Sequence, residues 1–519
     1  MTAWFRYGGL AVAALAWSAA FGAEKKTFVN PVIPGFYPDP SVCKGPDGKF
    51  CLATSSFQYF PAIPLFESED LVHWELKGHA VTDPSATVIA GGLDVGGVFA
   101  PTLRWHDGKF YLVFCNNSPE VPASREAKRL IGTLMTTAPA LEGPWTRPVR
   151  IPSLGGDPSL DFIDGKCYYT AVDRGRMIRM AEFDPAAGKL LTEPRDVWSG
   201  TGGRYPEGSH VFKRDGWYYL TIAEGGTEYG HRQTIARSRS VFGPYEPSPH
   251  GDVATHARLA AQHNRFQAVG HGDFVTDAGG ESYFVCHAIR PQWGKHHWIG
   301  RETVVAPVTW TADGWPLANG GEPLPDSPEN VSRLPAVDWV WLRNPELGNY
   351  DIDSAAGTVS LLPSPSGLSG YSSPTFIGTR QTAVAQTFRV KLLRRPAGGV
   401  TAGVTAYMSR RARYDLVCVK RGGKCCAFVR YALGTMDFTS DKIEIDSFPV
   451  ELRIEASRKS YRLFADSHLV GEGDPRHISS ETDNSYTGVV FGMFAEGSPA
   501  SGKVHFAYDK DDVLSSPAR

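Results

Sequence analysis

Three acidic residues stand out for their settings. Asp39 sits between two prolines in GFYPDPS, Asp157 precedes a proline in GGDPSL, and Glu207 lies in YPEGSH. A turn accounts for any one Asp-Pro pair, because both residues are common in turns. It does not account for acids that recur at one phase of a repeated unit. Converging carboxyl groups can divide acid–base work. One stays ionised as a base, one stays protonated as an acid, and a third raises the pKa of the acid by like-charge repulsion. Proline also pushes the residue before it toward extended backbone, so Asp39 is expected to be extended and rigid.

The elements that must position these acids are strands. Helical periodicity is almost absent, and short alternating runs are bounded by Gly, Pro, Asp and Asn. One hairpin recurs: DGKFCLATS from Asp47, DGKFYLVFC from Asp107, DGKCYYTAV from Asp164 and DGWYYLTIA from Asp215, with a weaker copy from Ala278. The Asp-to-Asp spacings are 60, 57 and 51 residues, and Asp-Gly between strand-like runs is a strong hairpin signal. Before the hairpins come DPSV, APTLRW, DPSLDF, PEGSHVF and GHGDFV; after several come aromatic turns such as DLVHW and LEGPW. Five units of about four strands, from Asn30 to Pro316, predict a five-bladed β-propeller. An array of β-sandwiches would not need near-equal spacing. In a propeller the starts of the inner strands ring one channel mouth, which brings Asp39, Asp157 and Glu207 together.

The rest of the chain bounds the alternatives. It has 519 residues, 42% hydrophobic and 21% charged, which suits two or three globular domains. A formal net charge of −2 gives no footing for nucleic acid. Residues 1–23 read as a signal peptide: an Arg-bearing start, the apolar run LAVAALAWSAA, then small residues. The mature chain is expected to begin near Ala23 or Glu24, exported to the periplasm or beyond, with no membrane attachment after cleavage. Residues 24–316 form the propeller, 317–335 a Pro/Gly/Ser/Asn-rich linker, and 336–519 a second all-β domain with seven or more strands, a β-sandwich. The eight cysteines do not form a disulfide framework; Cys43 with Cys51, and Cys418 with Cys425 or Cys426, could face each other across hairpins.

Six ordered motifs, PVIPGFYPDPS, FAPTLRWHDGKFYLV, GGDPSL, YPEGSHVFK, VGHGDF and IGRETVVAPVTW, together resemble glycoside hydrolase family 43. WLRNP and SPTFIGTRQ resemble the concanavalin-like sandwich appended to its β-xylosidase and α-L-arabinofuranosidase group. The resemblance implies an inverting glycosidase with Asp39 as general base, Glu207 as general acid, and Asp157 orienting that acid and tuning its pKa. Two such carboxyl groups stand about 6.5–9.5 Å apart to admit a water. Arg301 is similar to an arginine that binds sugar hydroxyls; the plain alternative is an ion pair with its neighbour Glu302. His271 is similar to a central-channel histidine beside which a water-held structural calcium ion is allowed; the plain alternative is an interior histidine. No cofactor is required. Phe57 and Phe60 follow the first strands and could wall the sugar subsite, and Tyr486 or Phe491 of the sandwich could close the pocket. One departure is Phe99 before APT, where Trp or Tyr is usual; the other is a short segment, RPQWGKHHW, between His271 and Arg301. The expected substrate is a xylan or arabinoxylan fragment, with xylose released from non-reducing ends of β-1,4-xylo-oligosaccharides. The alternatives are an α-L-arabinofuranosidase, or a non-catalytic carbohydrate-binding propeller that would not need three acids. Homo-oligomerisation is left open.

Overall fold

The computed structural model describes residues 28–89, 96–117, 124–259, 266–325, 334 and 337–516; the expected signal peptide lies outside them. The four strong Asp-Gly hairpins form as expected. At three of them both turn residues have positive φ, Asp107/Gly108 (44° and 77°), Asp164/Gly165 (53° and 75°) and Asp215/Gly216 (49° and 73°). That is the backbone twist that matches two-residue hairpins to flanking strands.

Each of the five hairpins supplies the two inner strands of an antiparallel blade, four-stranded in three blades and five-stranded in the third and fourth, with Ser41–Lys44, Gly97–His106, Gly156–Ile163, Glu207–Arg214 and Gln267–Thr276 at the innermost position. These five strands adjoin one another in ring order, and the fifth returns to the first. The segment before the first blade closes the ring. Ile33 bridges Thr303, the Asn30 amide exchanges hydrogen bonds with the Val305 main chain, and Tyr37 N–H donates to Arg301 O at 3.1 Å.

The inner strands share an irregularity. Register shifts fall at Phe99/Thr102, Gly156/Ser159, Glu207/His210 and after Gln267. At the same phase, φ is positive at Asp39 (55°), Ala100 (33°), Asp157 (47°), Gly208 (57°) and His271 (48°). The expectation of an extended Asp39 is therefore corrected. Asp39 lies just before its strand, which pairs in regular register, and its main-chain N–H is held by His287 and its carboxylate by Arg301 and Ser55; these contacts outweigh the preference set by the following proline. Asp tolerates positive φ better than most residues.

Below the bulges the inner strands are tied together by one guanidinium. Arg104 donates to Ser41 Oγ at 3.0 Å, to Asp273 Oδ2 at 2.7 Å and to Asp161 Oδ1 at 2.8 Å, with His210 Nδ1 at 3.1 Å. Those five residues come one from each blade. Asp161 and Asp273 are 4% exposed at the side chain, so each relies on Arg104 for charge compensation.

The sandwich consists of an eight-stranded and a seven-stranded antiparallel sheet closed over an aliphatic core that includes Val404, Leu416, Ile454 and Met493. It is joined firmly to the propeller. Trp341–Leu342 pairs with Tyr59–Phe60, and Phe36, Tyr59, Leu342, Phe376 and Tyr407 form a common apolar cluster. The stretch read as a linker begins as part of the fifth blade: Pro316–Ala318 is its outer strand and Leu324 is buried against it; residues 326–333 lie outside the described residues. Cys43 and Cys51 are directly opposite in register and both are free thiols, while Cys418 faces Ala427 and Cys425 faces Lys420.

Removing the guanidinium in Arg104→Ala leaves two buried carboxylates without their partner, a change that costs about 3–5 kcal/mol. Thermal unfolding followed by circular dichroism should show the midpoint falling by several degrees. An unchanged midpoint would contradict the structural role given to this network.

Candidate active site

Eight of the ten side chains singled out from the sequence line one cavity of about 650 Å³ at the bulged mouth of the channel. They are Asp39, Phe57, Phe99, Asp157, Glu207, His271, Arg301 and Tyr486. Phe491 and Phe60 do not. Phe491 is fully buried in the sandwich core, stacked on Phe388 at 5.8 Å. Its strand, Val490–Glu496, is covered on both faces, so an aromatic in it has no route to the pocket. Phe60 is likewise buried, packed toward Trp341 at the domain junction.

Asp39 is 5% exposed and held at both carboxylate oxygens and at its main-chain N–H. Arg301 Nη1 donates to Oδ1 at 2.6 Å, Ser55 Oγ donates to Oδ2 at 2.7 Å, and the main-chain N–H donates to His287 Nδ1 at 3.2 Å. Ser55 in turn receives the Ala100 N–H at 2.7 Å, which fixes its hydroxyl toward the acid. Burial alone would raise the pKa of Asp39. The Arg301 charge, the largest of the opposing influences, reverses that and holds the carboxyl well below its ordinary range.

Glu207 opens the inner strand of blade four and behaves in the opposite way. Burial, then the negative charges of Asp157 and Asp39, push its pKa well above the usual carboxylate value, and Arg301 opposes this only in part. Asp157 is also raised, by burial first and by Asp39, while His271 and the Gly208 N–H hold it back. The Gly208 position cannot carry a side chain: φ is 57°, and a Cβ there would lie 2.7 Å from His271 Nε2. The glycine after the acid thus lets blade five's histidine approach blade four.

His271 Nδ1 lies 3.8 Å from Asp39 Oδ1. Among the described residues no group of three or more His, Cys, Asp or Glu could hold a metal ion. Calcium takes about six to eight oxygen ligands, so the protein groups around His271 do not by themselves fit it, and no step below uses a metal. The Arg301–Glu302 pair considered from the sequence is absent: Glu302 binds Arg290 instead (Nη2 to Oε1, 2.6 Å), as expected for neighbours that point to opposite faces of extended backbone.

Three rings form a wall beside Arg301. Phe57 and Phe99 meet edge to face at 4.9 Å, and Tyr486 lies 5.9 Å from Phe57 and 6.5 Å from Phe99. Tyr486 arrives from the sandwich. Gly300 and Gly488 let the two backbones touch, since a Cβ on Gly488 would sit 2.0 Å from Ile299 O. Val489 N–H donates to Trp298 O at 2.8 Å, and Glu481 Oε1 lies 2.6 Å from His297 Nδ1. The sequence reading missed Ser55, His287 and the His297–Glu481 clasp. The motifs containing them, TSS, VCHA and KHHW, carry no acid or glycine signal that would single them out.

A family model for glycosyl hydrolases family 43 matches residues 28–316, and one for the β-xylosidase C-terminal concanavalin A-like domain matches residues 332–510. The chain belongs to glycosyl hydrolase family 43. It is a glycoside hydrolase with a five-bladed propeller and a concanavalin-like sandwich. It is 36% identical over 506 residues to a non-reducing end α-L-arabinofuranosidase of Bacteroides ovatus, covering 93% of each chain. It is 31% identical over 507 residues to a xylosidase/arabinosidase of Butyrivibrio fibrisolvens, covering 90% of this chain and 95% of the other. A solved xylan β-1,4-xylosidase from Bacillus halodurans superposes with a TM-score of 0.83 at 28% identity, over 93% of this chain and 100% of that one.

Two outcomes follow from the site's electrostatics. On the assignment proposed below, with Asp39 as the ionised base and Glu207 as the protonated acid, kcat/KM should fall on the acid side as Asp39 protonates and on the alkaline side as Glu207 ionises. Asp157→Asn removes a charge that raises Glu207, so the alkaline limb should move to lower pH, by about one unit. An unmoved limb would contradict the coupling. Tyr486→Ala should raise KM about tenfold, the scale of one lost aromatic contact of about 1–1.5 kcal/mol, with a smaller effect on kcat; unchanged KM would remove Tyr486 from the substrate wall.

Proposed function

We propose that this family 43 hydrolase is an exo-acting, inverting enzyme that removes a terminal pentose, with Asp39 as base, Glu207 as acid and Asp157 tuning the acid. The observation that carries this reading is the divergence of two carboxyl groups in one pocket, Asp39 pushed down and Glu207 pushed up. Glu207 passes its proton to the glycosidic oxygen as the bond to the anomeric carbon breaks. Asp39 takes a proton from a water whose oxygen attacks that carbon from the opposite face. Each turnover ends with Asp39 protonated and Glu207 ionised, and proton exchange with solvent resets both. The ring wall and the Tyr486 loop, which narrow the pocket on one side, support end-on rather than mid-chain cleavage.

Our first substrate is the non-reducing end of β-1,4-xylo-oligosaccharides, which the likeness to the Bacillus halodurans xylosidase supports. The second is a terminal α-L-arabinofuranoside, favoured by the 36% identity to the Bacteroides ovatus arabinofuranosidase. The apolar N-terminal run supports work after export, in the periplasm or outside the cell.

Rates on nitrophenyl β-D-xyloside and nitrophenyl α-L-arabinofuranoside decide between the sugars; a much faster arabinoside would replace the first substrate by the second. Asp39→Asn should lower kcat on either by at least about a hundredfold, within the usual contribution of a general base. Glu207→Gln should lose more on a natural oligosaccharide than on the nitrophenyl glycoside, whose leaving group needs little protonation. Wild-type turnover in both variants would contradict the mechanism.

A further inference from the structure

We propose that His287 is a positioning residue for Asp39, acting as a neutral imidazole that accepts the Asp39 main-chain N–H, with His231 stacked behind it as a buttress. The proposal rests on Asp39 being the base.

The geometry dictates the tautomers. A main-chain N–H can only donate, and that of Asp39 points at His287 Nδ1 from 3.2 Å. Nδ1 must therefore be the unprotonated nitrogen, and the proton of the neutral ring sits on Nε2. His231 is set the other way. Its Nδ1 lies 2.8 Å from the carbonyl oxygen of Gly226, which can only accept, so Nδ1 carries the proton. Both rings are fully buried and lie 5.1 Å apart at an interplanar angle of 8°. Burial is the main force keeping them neutral. It lowers the pKa of His287 to about 3, though the Asp39 carboxylate opposes the shift, and it lowers His231 well below the ordinary value, with His287 adding to it.

His287 Nδ1 is also 3.2 Å from Asp39 Oδ1, a contact that by itself favours a protonated ring and that burial overrides. A protonated His287 would confront the Asp39 N–H with another donor and compete with Arg301 for the carboxylate. As an acceptor it instead fixes the amide of a residue whose φ is 55°, a conformation that a non-glycine side chain takes up reluctantly. The Asp39 carboxylate is aimed by Arg301 and Ser55, and its backbone is aimed by His287. The stacked pair also links the base to the opposite side of the pocket, because Gly226, held by His231, belongs to the blade-four loop that lines the cavity.

The test separates acceptor from bulk. Asn at 287 can place its amide oxygen where Nδ1 was; Leu keeps the bulk without an acceptor. We would measure kcat and KM of His287→Asn, His287→Leu and Asp39→Ala on the faster nitrophenyl glycoside, with and without azide. Azide is an anionic nucleophile that needs no base. It forms the C1–N bond as the C1–O bond breaks, and the nitrophenolate departs. The expected result is His287→Asn within about tenfold of wild type, and His287→Leu down about a hundredfold in kcat with KM little changed, the penalty of a misplacement near 1 Å. Azide should accelerate His287→Leu and Asp39→Ala alike, yielding glycosyl azide. Equal impairment of the Asn and Leu variants would overturn the proposal. So would a fully active Leu variant, or azide rescue of Asp39→Ala without rescue of His287→Leu. If Asp39→Ala keeps wild-type turnover or ignores azide, the base assignment itself fails. Should His287→Leu not fold, His287→Gln, whose amide oxygen reaches past the Nδ1 position, takes its place with the same expectations.

Discussion

The ion pair between Asp39 and Arg301 joins residues 262 positions apart at the seam where the propeller ring closes. Without it, three carboxyl groups, Asp39 buried and Asp157 and Glu207 half-buried, would face one another in a single pocket. Burial and mutual repulsion would then favour the protonated form of all three, and none would be left as a base. The guanidinium breaks that symmetry. It sits against Asp39 and lowers it, whereas for Glu207 it is outweighed by burial and by the other two acids. The opposed protonation states that glycoside hydrolysis needs thus follow from where one positive charge is placed. That placement depends on the ring being closed, since the segment Asn30–Tyr37 is pinned to the strand Glu302–Trp310 immediately beside both residues.

The five blades divide their inner strands between two tasks. At the bulge, positive φ turns side chains toward the mouth. Two to four residues further on, Ser41, Arg104, Asp161, His210 and Asp273 meet in the channel and bind one another. A second cavity, of about 780 Å³, opens at that opposite end and is larger than the first. Size does not make it the reactive one. Its buried acids, Asp161 and Asp273, are engaged by Arg104, Asp164 is bound by Lys213 and Tyr218, and Asp215 lies beside Arg214. The Asp273 and Asp164 carboxyls are both held below their ordinary pKa, the opposite of what a proton donor needs.

Much of this was legible in the sequence because repetition carries phase. The Asp-Gly turns located the hairpins, and the DPS, APT, PEG and GHG elements marked the bulged starts, so the acids could be brought together without coordinates. The conformation of Asp39 was not legible. Rules for the residue before proline describe a local preference, and the contacts that override it, from Arg301, Ser55 and His287, form only when the blades assemble. His287, Ser55 and His231 were hidden because they act through hydrogen bonds formed by packing between blades, and their sequence neighbourhoods look like ordinary strand. Tyr486 and Phe491 were indistinguishable as aromatics near a strand; only the sheet register puts one at the domain seam and the other in the core. The proline- and glycine-rich stretch after Trp315 read as a linker by composition, although its first residues complete the fifth blade.

The most direct measurement of the account is the configuration of the sugar first released, followed by proton NMR before mutarotation obscures it. With Asp39 activating water and Glu207 protonating the leaving oxygen, a β-xyloside must yield α-xylose first, or an α-arabinofuranoside β-arabinose. Initial appearance of the retained anomer would mean that a carboxylate attacks the sugar directly, and would contradict the roles given to both residues.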